Sequence, residues 1–158
     1  MTIRRAKPED AAAIIEMIRA LAEFENAADQ CTVTEKQITA ALFDPSPILH
    51  GHVAEADGEV AAMALWFLNF STWDGAAGIY LEDLFVHPRF RRRGLARALL
   101  ATLAAECLAK GYTRLSWAVL NWNTDAIALY DGVGGEPQSE WTTYRLSGPR
   151  LADLAESR

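Results

Sequence analysis

The chain has two cysteines, Cys31 and Cys107, without metal-ligand spacing. Two cysteines make no disulfide framework, so both are read as reduced thiols of a cytoplasmic protein. No apolar run approaches the roughly 20 residues a membrane span needs. The opening "MTIRRAKPED" has no apolar stretch to serve as a signal-peptide core. His50, His52 and His87 share no ligand spacing, and no metal site is expected. Neither G-x-x-x-x-G-K-[ST] nor G-x-G-x-x-G occurs, which removes two common phosphate-binding loops. Positive charge is scarce as well: 15 Lys+Arg face 21 Asp+Glu, a net charge of −6. That balance argues against nucleic acid as the main partner and favours cationic ones. There is no repeat, low-complexity segment or linker, so the 158 residues are expected to form one domain, 1–158.

Against this acidic background, "RFRRRGLAR" packs five arginines into nine positions, Arg89 to Arg97. They fall where an apolar-periodic run begins. The positive pole of a helix dipole disfavours each cation there by about 0.3–1 kcal/mol. A bound anion resolves the conflict, because a helix start exposes unpaired N–H groups. Gly94 and Ala96 leave the surface bare enough for a phosphate to approach the backbone.

The rest of the chain supplies the context. Thr2 to Ala6 reads as a strand, and Pro8 opens a helix with Ile14, Ile15, Ile18 and Leu21 on one face. Thr34 caps a second helix that ends before the "DPSP" break. Asp57–Gly58 joins two strands in a hairpin, and "IYLEDLFV" forms a long apolar strand carrying two adjacent acids. Leu95, Leu99, Leu103 and Cys107 or Leu108 line a helix that stops at Lys110–Gly111. "YTRLSWAVL" reads as a strand, Asn123 or Thr124 caps a short helix, and "EWTTYRLSG" reads as a final strand. The tail from Pro149 is expected to form one exposed helical turn or to fray. The order β-α-α-β-β-β-α-β-α-β predicts an α/β fold, a mixed sheet with helices on both faces.

Arg91-x-x-Gly94-x-Ala96, preceded by "LEDLFVHPRF" and followed by "NWNTDAIALY", is similar to the acetyl-CoA motif of the GNAT acetyltransferases. "LAEFEN", "TEKQI", "YLEDLFV" and "NWNTDAIALY" resemble the diamine (spermidine/spermine) branch, which includes thialysine acetyltransferases. The resemblance runs from about Ile3 to Leu146. It implies a seven-stranded, mostly antiparallel sheet whose fourth and fifth strands splay apart around acetyl-CoA, and a homodimer. It assigns Leu84, Phe85 and Val86 to the acetyl and pantetheine part. Arg91, Arg92, Arg93, Gly94, Leu95, Ala96 and Arg97 would wrap the pyrophosphate, chiefly through main-chain N–H groups. Asn123, Thr124, Asp125 and Ala126 would meet the cosubstrate from the following helix. Tyr130 matches the family's general acid, Glu82 an acceptor-site carboxylate, and Phe24 and Glu25 an aromatic–acid pair that meets the amine.

The chemistry implied is demanding. An amine near pKa 10.4 is only about one part in a thousand neutral near pH 7, and only the neutral form attacks a thioester. The site must therefore accept a proton, stabilise an oxyanion with a strand N–H freed at a bulge, and protonate the departing thiolate. Apolar Leu81 and Leu84 would partly bury Glu82, raise its pKa and make it a base. Glu25, Glu82 and Asp83 favour a small cationic amine, such as a diamine or a lysine-like amino acid, and Trp73 is a candidate wall of its pocket. The other tryptophans read mostly as core. The alternatives are a protein lysine or N-terminal acetyltransferase and a non-catalytic acyl-CoA-binding module.

Overall fold

The computed structural model describes all 158 residues. Strands β1 (Thr2–Arg5), β2 (His50–Ala56), β3 (Glu59–Ser71) and β4 (Ala76–Val86) pair in sequence order, each antiparallel to the last. β5 (Leu115–Ser116) then joins β4 in parallel. Asp57 and Gly58 take φ of 55° and 81°, the left-handed pair that a two-residue hairpin turn requires.

Both faces of the sheet are covered. Helices α1 (Ala11–Phe24) and α2 (Glu35–Phe43) lay Ile14, Ile15, Met17, Ile38 and Leu42 over Val53, Met63, Leu65 and Phe85. On the other face α3 (Leu95–Lys110) sets Leu95, Leu99 and Leu103 on Ala54, Ala62, Ala64, Ile79 and Leu81. The run of alanines on that face lets the leucines seat close to the backbone. Cys107 faces this core while Leu108 is exposed. Gly111, at φ 72°, ends the helix. α1 is tied to the first strand by Arg4, whose guanidinium pairs with Asp10 at 2.7 Å. Thr34 caps α2 by accepting from the Gln37 N–H, with the reciprocal Gln37 side-chain bond in place.

Two features of the sheet position the site. Leu65 pairs with Asp83 and Trp66 with Leu81, so Glu82 is the extra residue of a β-bulge. The bulge explains why Leu81 and Leu84 both pack toward the α3 face while Asp83 and Phe85 turn toward α1. Second, β4 pairs with β5 only at Ile79↔Leu115 and Tyr80↔Ser116. From Leu81 to Val86 the edge of β4 has no strand partner on that side. The expected splay is this gap.

The strand count departs from expectation: five strands, not seven. The strand expected over "YTRLSWAVL" shrinks to Leu115–Ser116 because the chain veers from β4 and loses its ladder partner. The expected final strand in "EWTTYRLSG" reaches no sheet edge, and every residue from Glu140 to Gly148 is exposed. The tail forms a longer helix than expected, α5 (Pro149–Glu156), with no buried residue. α4 (Thr124–Gly132) forms as read, capped by Asn123 Oδ1 accepting from the Ala126 N–H at 3.2 Å.

Candidate active site

The turn after β4 leaves a run of main-chain N–H groups without partners. Arg92 and Gly94 adopt φ of 63° and 79°, and α3 starts at Leu95 with no side-chain cap. The first helical bond is Ala98 N–H to the Gly94 carbonyl. The N–H groups of Arg92 through Arg97 make no hydrogen bond within the chain. Left-handed residues alternating with ordinary ones turn successive N–H groups inward, the concave nest that binds anions.

The arginine side chains are mostly committed elsewhere. Arg93 pairs with Asp57 at 2.8 Å, and Arg89 pairs with Glu59, both on the β2–β3 hairpin. Arg91 turns toward α1: its Nε donates to the Val86 carbonyl at 3.1 Å, and its guanidinium stands 5.5 Å from the Phe24 ring centroid. Arg92 and Arg97 point into solvent beside the nest without an ion-pair partner. These hairpin pairs relieve the charge crowding that the sequence posed and hold the turn in shape. The donor set, free N–H groups plus two unpaired guanidiniums, fits a pyrophosphate.

The acids lie on the α1 face of the gap. A cavity of about 200 Å³ is bounded by Ile18 and Leu21 of α1, Gln30, Cys31, Glu25 and Asp83. Burial raises the Asp83 carboxyl to about 6, helped by the negative charges of Glu82 and Glu25. Glu25 is also raised by burial. The expectation that Glu82 is the partly buried acid is corrected: Glu82 is exposed on the bulge, and the burial falls on Asp83. Two adjacent polar residues inside an apolar strand were the available signal of that bulge.

Tyr130 approaches from the other face. It packs against the α3-side core and against Trp117, ring centroids 5.1 Å apart. Burial, and then the charge of Glu25, push its phenol above the usual value, so it keeps its proton near neutral pH. Tyr130 thus lies with the α3-face core and the two acids lie on the α1 face. Thr124, Asp125 and Ala126 form the first turn of α4 on the β5 side. A larger cleft of about 380 Å³ lies between α1 and the turn after β4, bounded by Ala20, Phe24, Phe85, His87 and Arg91.

Trp73 is not brought to this site within the chain. It stands 85% exposed in the β3–β4 turn, and Ala76 is six residues from Glu82, roughly 20 Å along an extended strand. Of the other tryptophans only Trp66 is fully buried, its Nε1 donating to His52 Nδ1 at 3.1 Å. Burial holds His52 near pKa 4. His87 is less well satisfied, with a buried Nδ1 that has no partner. Sequence reasoning missed Trp122, whose ring meets that of Phe24 at a tilt, centroids 5.6 Å apart. No group of His, Cys, Asp or Glu is arranged to hold a metal ion, and no helix is long and apolar enough to cross a membrane.

Known proteins share the sequence pattern and the fold of this chain. The sequence pattern described as the acetyltransferase (GNAT) family matches residues 15–134. The chain is similar to the thialysine N-epsilon-acetyltransferases of Caenorhabditis elegans and Bos taurus. Identity to the first is 40%, covering 94% of this chain and 93% of the relative. Identity to the second is 37%, covering 97% and 96%. Among solved structures, an integron cassette protein from the mobile metagenome of V. cholerae superimposes with a TM-score of 0.81. It shares 21% identity and covers 98% of this chain and 97% of its own, a likeness of fold.

Proposed function

The chain belongs to the GNAT acetyltransferase family and is an acetyl-CoA-dependent N-acetyltransferase; from that premise we propose that it acetylates the primary amine of a small cationic acceptor, a lysine-like amino acid or a diamine. The observation that carries this reading is the pair Glu25 and Asp83, two acids sharing one small cavity beside the gap. Two neighbouring carboxylates favour a cation. The similarity to thialysine acetyltransferases points to the same acceptor class.

The residues divide the work by face. The nest of Arg92 to Arg97 holds the pyrophosphate, with Arg91 at its edge. Leu84, Phe85 and Val86 line the pantetheine, and Asn123, Thr124, Asp125 and Ala126 close the β5 side. Acetyl-CoA supplies the acetyl group as an activated thioester. The ammonium enters from the α1 face, held by Phe24 and Glu25. Asp83, with its carboxyl near 6, accepts the amine proton, and Glu82, exposed on the bulge, passes it to water. The nitrogen forms the new N–C bond as the C–S bond breaks, and Tyr130 on the opposite face donates its proton to sulfur. The interrupted ladder at the bulge leaves strand N–H for the carbonyl oxygen. None of these steps draws on a metal.

We read the protein as cytoplasmic and as a homodimer, with neither nucleic acid nor membrane as a partner. The C-terminal arm supports the dimer. Trp141, Tyr144, Leu146, Leu151 and Leu154 are all exposed on it, and a second copy would cover them. Trp73 would line an acceptor pocket only from such a second copy. The deciding experiment is acetyl transfer from acetyl-CoA across thialysine, lysine, ornithine, 1,4-diaminobutane and lysine-bearing peptides. Transfer to the small amines, weakened by Glu25→Gln in the acceptor KM and not in the acetyl-CoA KM, is the expected result. Transfer to peptides alone would identify a protein acetyltransferase instead.

A further inference from the structure

Beyond Tyr80↔Ser116 the strands part, and an aromatic contact crosses the gap. Phe24, the last residue of α1, meets Trp122, which precedes the cap of α4. Their centroids are 5.6 Å apart and their planes tilted by 50°. Neither ring belongs to a core: Phe24 is 42% and Trp122 51% exposed. Folding alone gives little reason to place two large rings there.

Phe24 is also gripped by Arg91. That guanidinium lies between the rings of Phe24 and Phe85, at 5.5 Å and 5.9 Å, and is anchored on the Val86 carbonyl. Contacts therefore run from β4 through Arg91 to Phe24 and on through Trp122 to α4. Both ends of this row sit in segments assigned above to the cosubstrate: Arg91 at the edge of the nest, Trp122 adjoining Asn123. Its middle is the acceptor wall, because Phe24 is covalently followed by Glu25. α1 ends here, and Asn26 turns the chain with φ 58°, so the direction of Glu25 depends on what holds Phe24.

We infer that Trp122 and Arg91 are positioning residues that couple the two substrate sites, so that a filled cosubstrate gap fixes Phe24 from both sides and with it Glu25 against Asp83. The inference rests on the functional reading above. A ligand that orders both grips on Phe24 lowers the ordering cost of the second ligand, and the coupling is reciprocal. The acceptor then binds better to the loaded enzyme than to the free one.

The test uses CoA as a non-reacting probe, with thialysine and 1,4-diaminobutane as acceptors, in calorimetric titrations of the full chain. Saturating CoA is expected to tighten acceptor binding by roughly fivefold or more in the wild type, the lower range of allosteric couplings. Trp122→Ala should shrink that factor to about twofold or less and raise the acceptor KM more than the acetyl-CoA KM; Trp122→Phe, which keeps a ring, should restore most of it. An unchanged factor in Trp122→Ala, or no coupling in a wild type that acetylates the same amine, overturns the inference alone. A wild type that binds CoA and acetylates none of the amines overturns the functional reading and this inference with it.

Discussion

In the proposed reaction Asp83 and Tyr130 carry opposite halves of the proton traffic, and their surroundings suit them to it. Both are pushed up chiefly by burial, but with different consequences near neutral pH: Asp83, with a carboxyl near 6, is mostly an ionised acceptor, whereas Tyr130 stays a neutral, protonated donor. A carboxyl whose folded pKa lies above its unfolded value of about 3.9 penalises the fold when ionised. That penalty is complete above pH 6 and is relieved as pH falls from 6 toward 4. His52 works the other way, since a neutral buried imidazole loses its advantage as pH drops from 6.5 toward 4. The difference between wild type and Asp83→Asn isolates the carboxyl. The variant should melt higher at pH 7.5 and lose that margin by pH 4.5, while its kcat/KM for the amine falls at neutral pH. Thermal melts and pH–rate profiles check both. Tyr130→Phe keeps the packing on Trp117 and removes the proton. Loss of a positioned acid costs about 10²–10⁴ in rate, and a thiolate leaving group places the expected drop in kcat near 10². Acetyl-CoA affinity and Tm should stay near wild type, and unchanged turnover would reduce Tyr130 to packing.

At the scale of elements, what the sequence made legible was whatever depends on near neighbours. The Asp57–Gly58 hairpin, the Thr34 and Asn123 caps, the Gly111 stop and the strand–turn–helix around Gly94 all lie within a few residues of their cause. Glu82 and Asp83 were legible as a pair, but which one is buried depends on a register shift against Leu65 and Trp66, set by a strand far off in sequence. The direction of Arg91 and the contact of Trp122 with Phe24 likewise depend on where α1 lands. Gly94 illustrates the local kind of cause. A Cβ there would meet nothing within 4 Å, yet φ is 79°. Gly94→Val therefore costs backbone strain, on the order of 1–3 kcal/mol, and turns the N–H groups of the nest away from their common focus. Acetyl-CoA binding should weaken by about tenfold or more, with Gly94→Ala between, as titration calorimetry will show. Gly78 is the contrasting case: a Cβ would come within 2.9 Å of the Arg114 carbonyl, so alanine there forces β5 off β4 and should lower Tm.

At the scale of the molecule, the body and its C-terminal arm obey different rules. Residues 137–158 are all exposed, and they carry five large apolar side chains, Trp141, Tyr144, Leu146, Leu151 and Leu154. On the proposed reading a second copy covers them. In size-exclusion chromatography with light scattering, the full chain should run as a dimer of 17.4 kDa protomers. A chain ending at residue 136 should run as a monomer that still melts cooperatively. A monomeric full chain would leave the arm without a role in assembly.

The nest after β4 has a consequence for inhibition and for resistance to it. Its donors are peptide N–H groups, and its outline is fixed by the backbone angles of Arg92 and Gly94, with Arg93 and Arg89 spent on the hairpin. A point mutation can erase a side chain but cannot delete an amide. A compound that fills the nest as a pyrophosphate mimic would thus engage atoms common to every variant that still folds. The escape routes run through glycine and helix geometry, and if the nest holds the pyrophosphate as proposed, each of them also damages the enzyme's hold on its own cosubstrate.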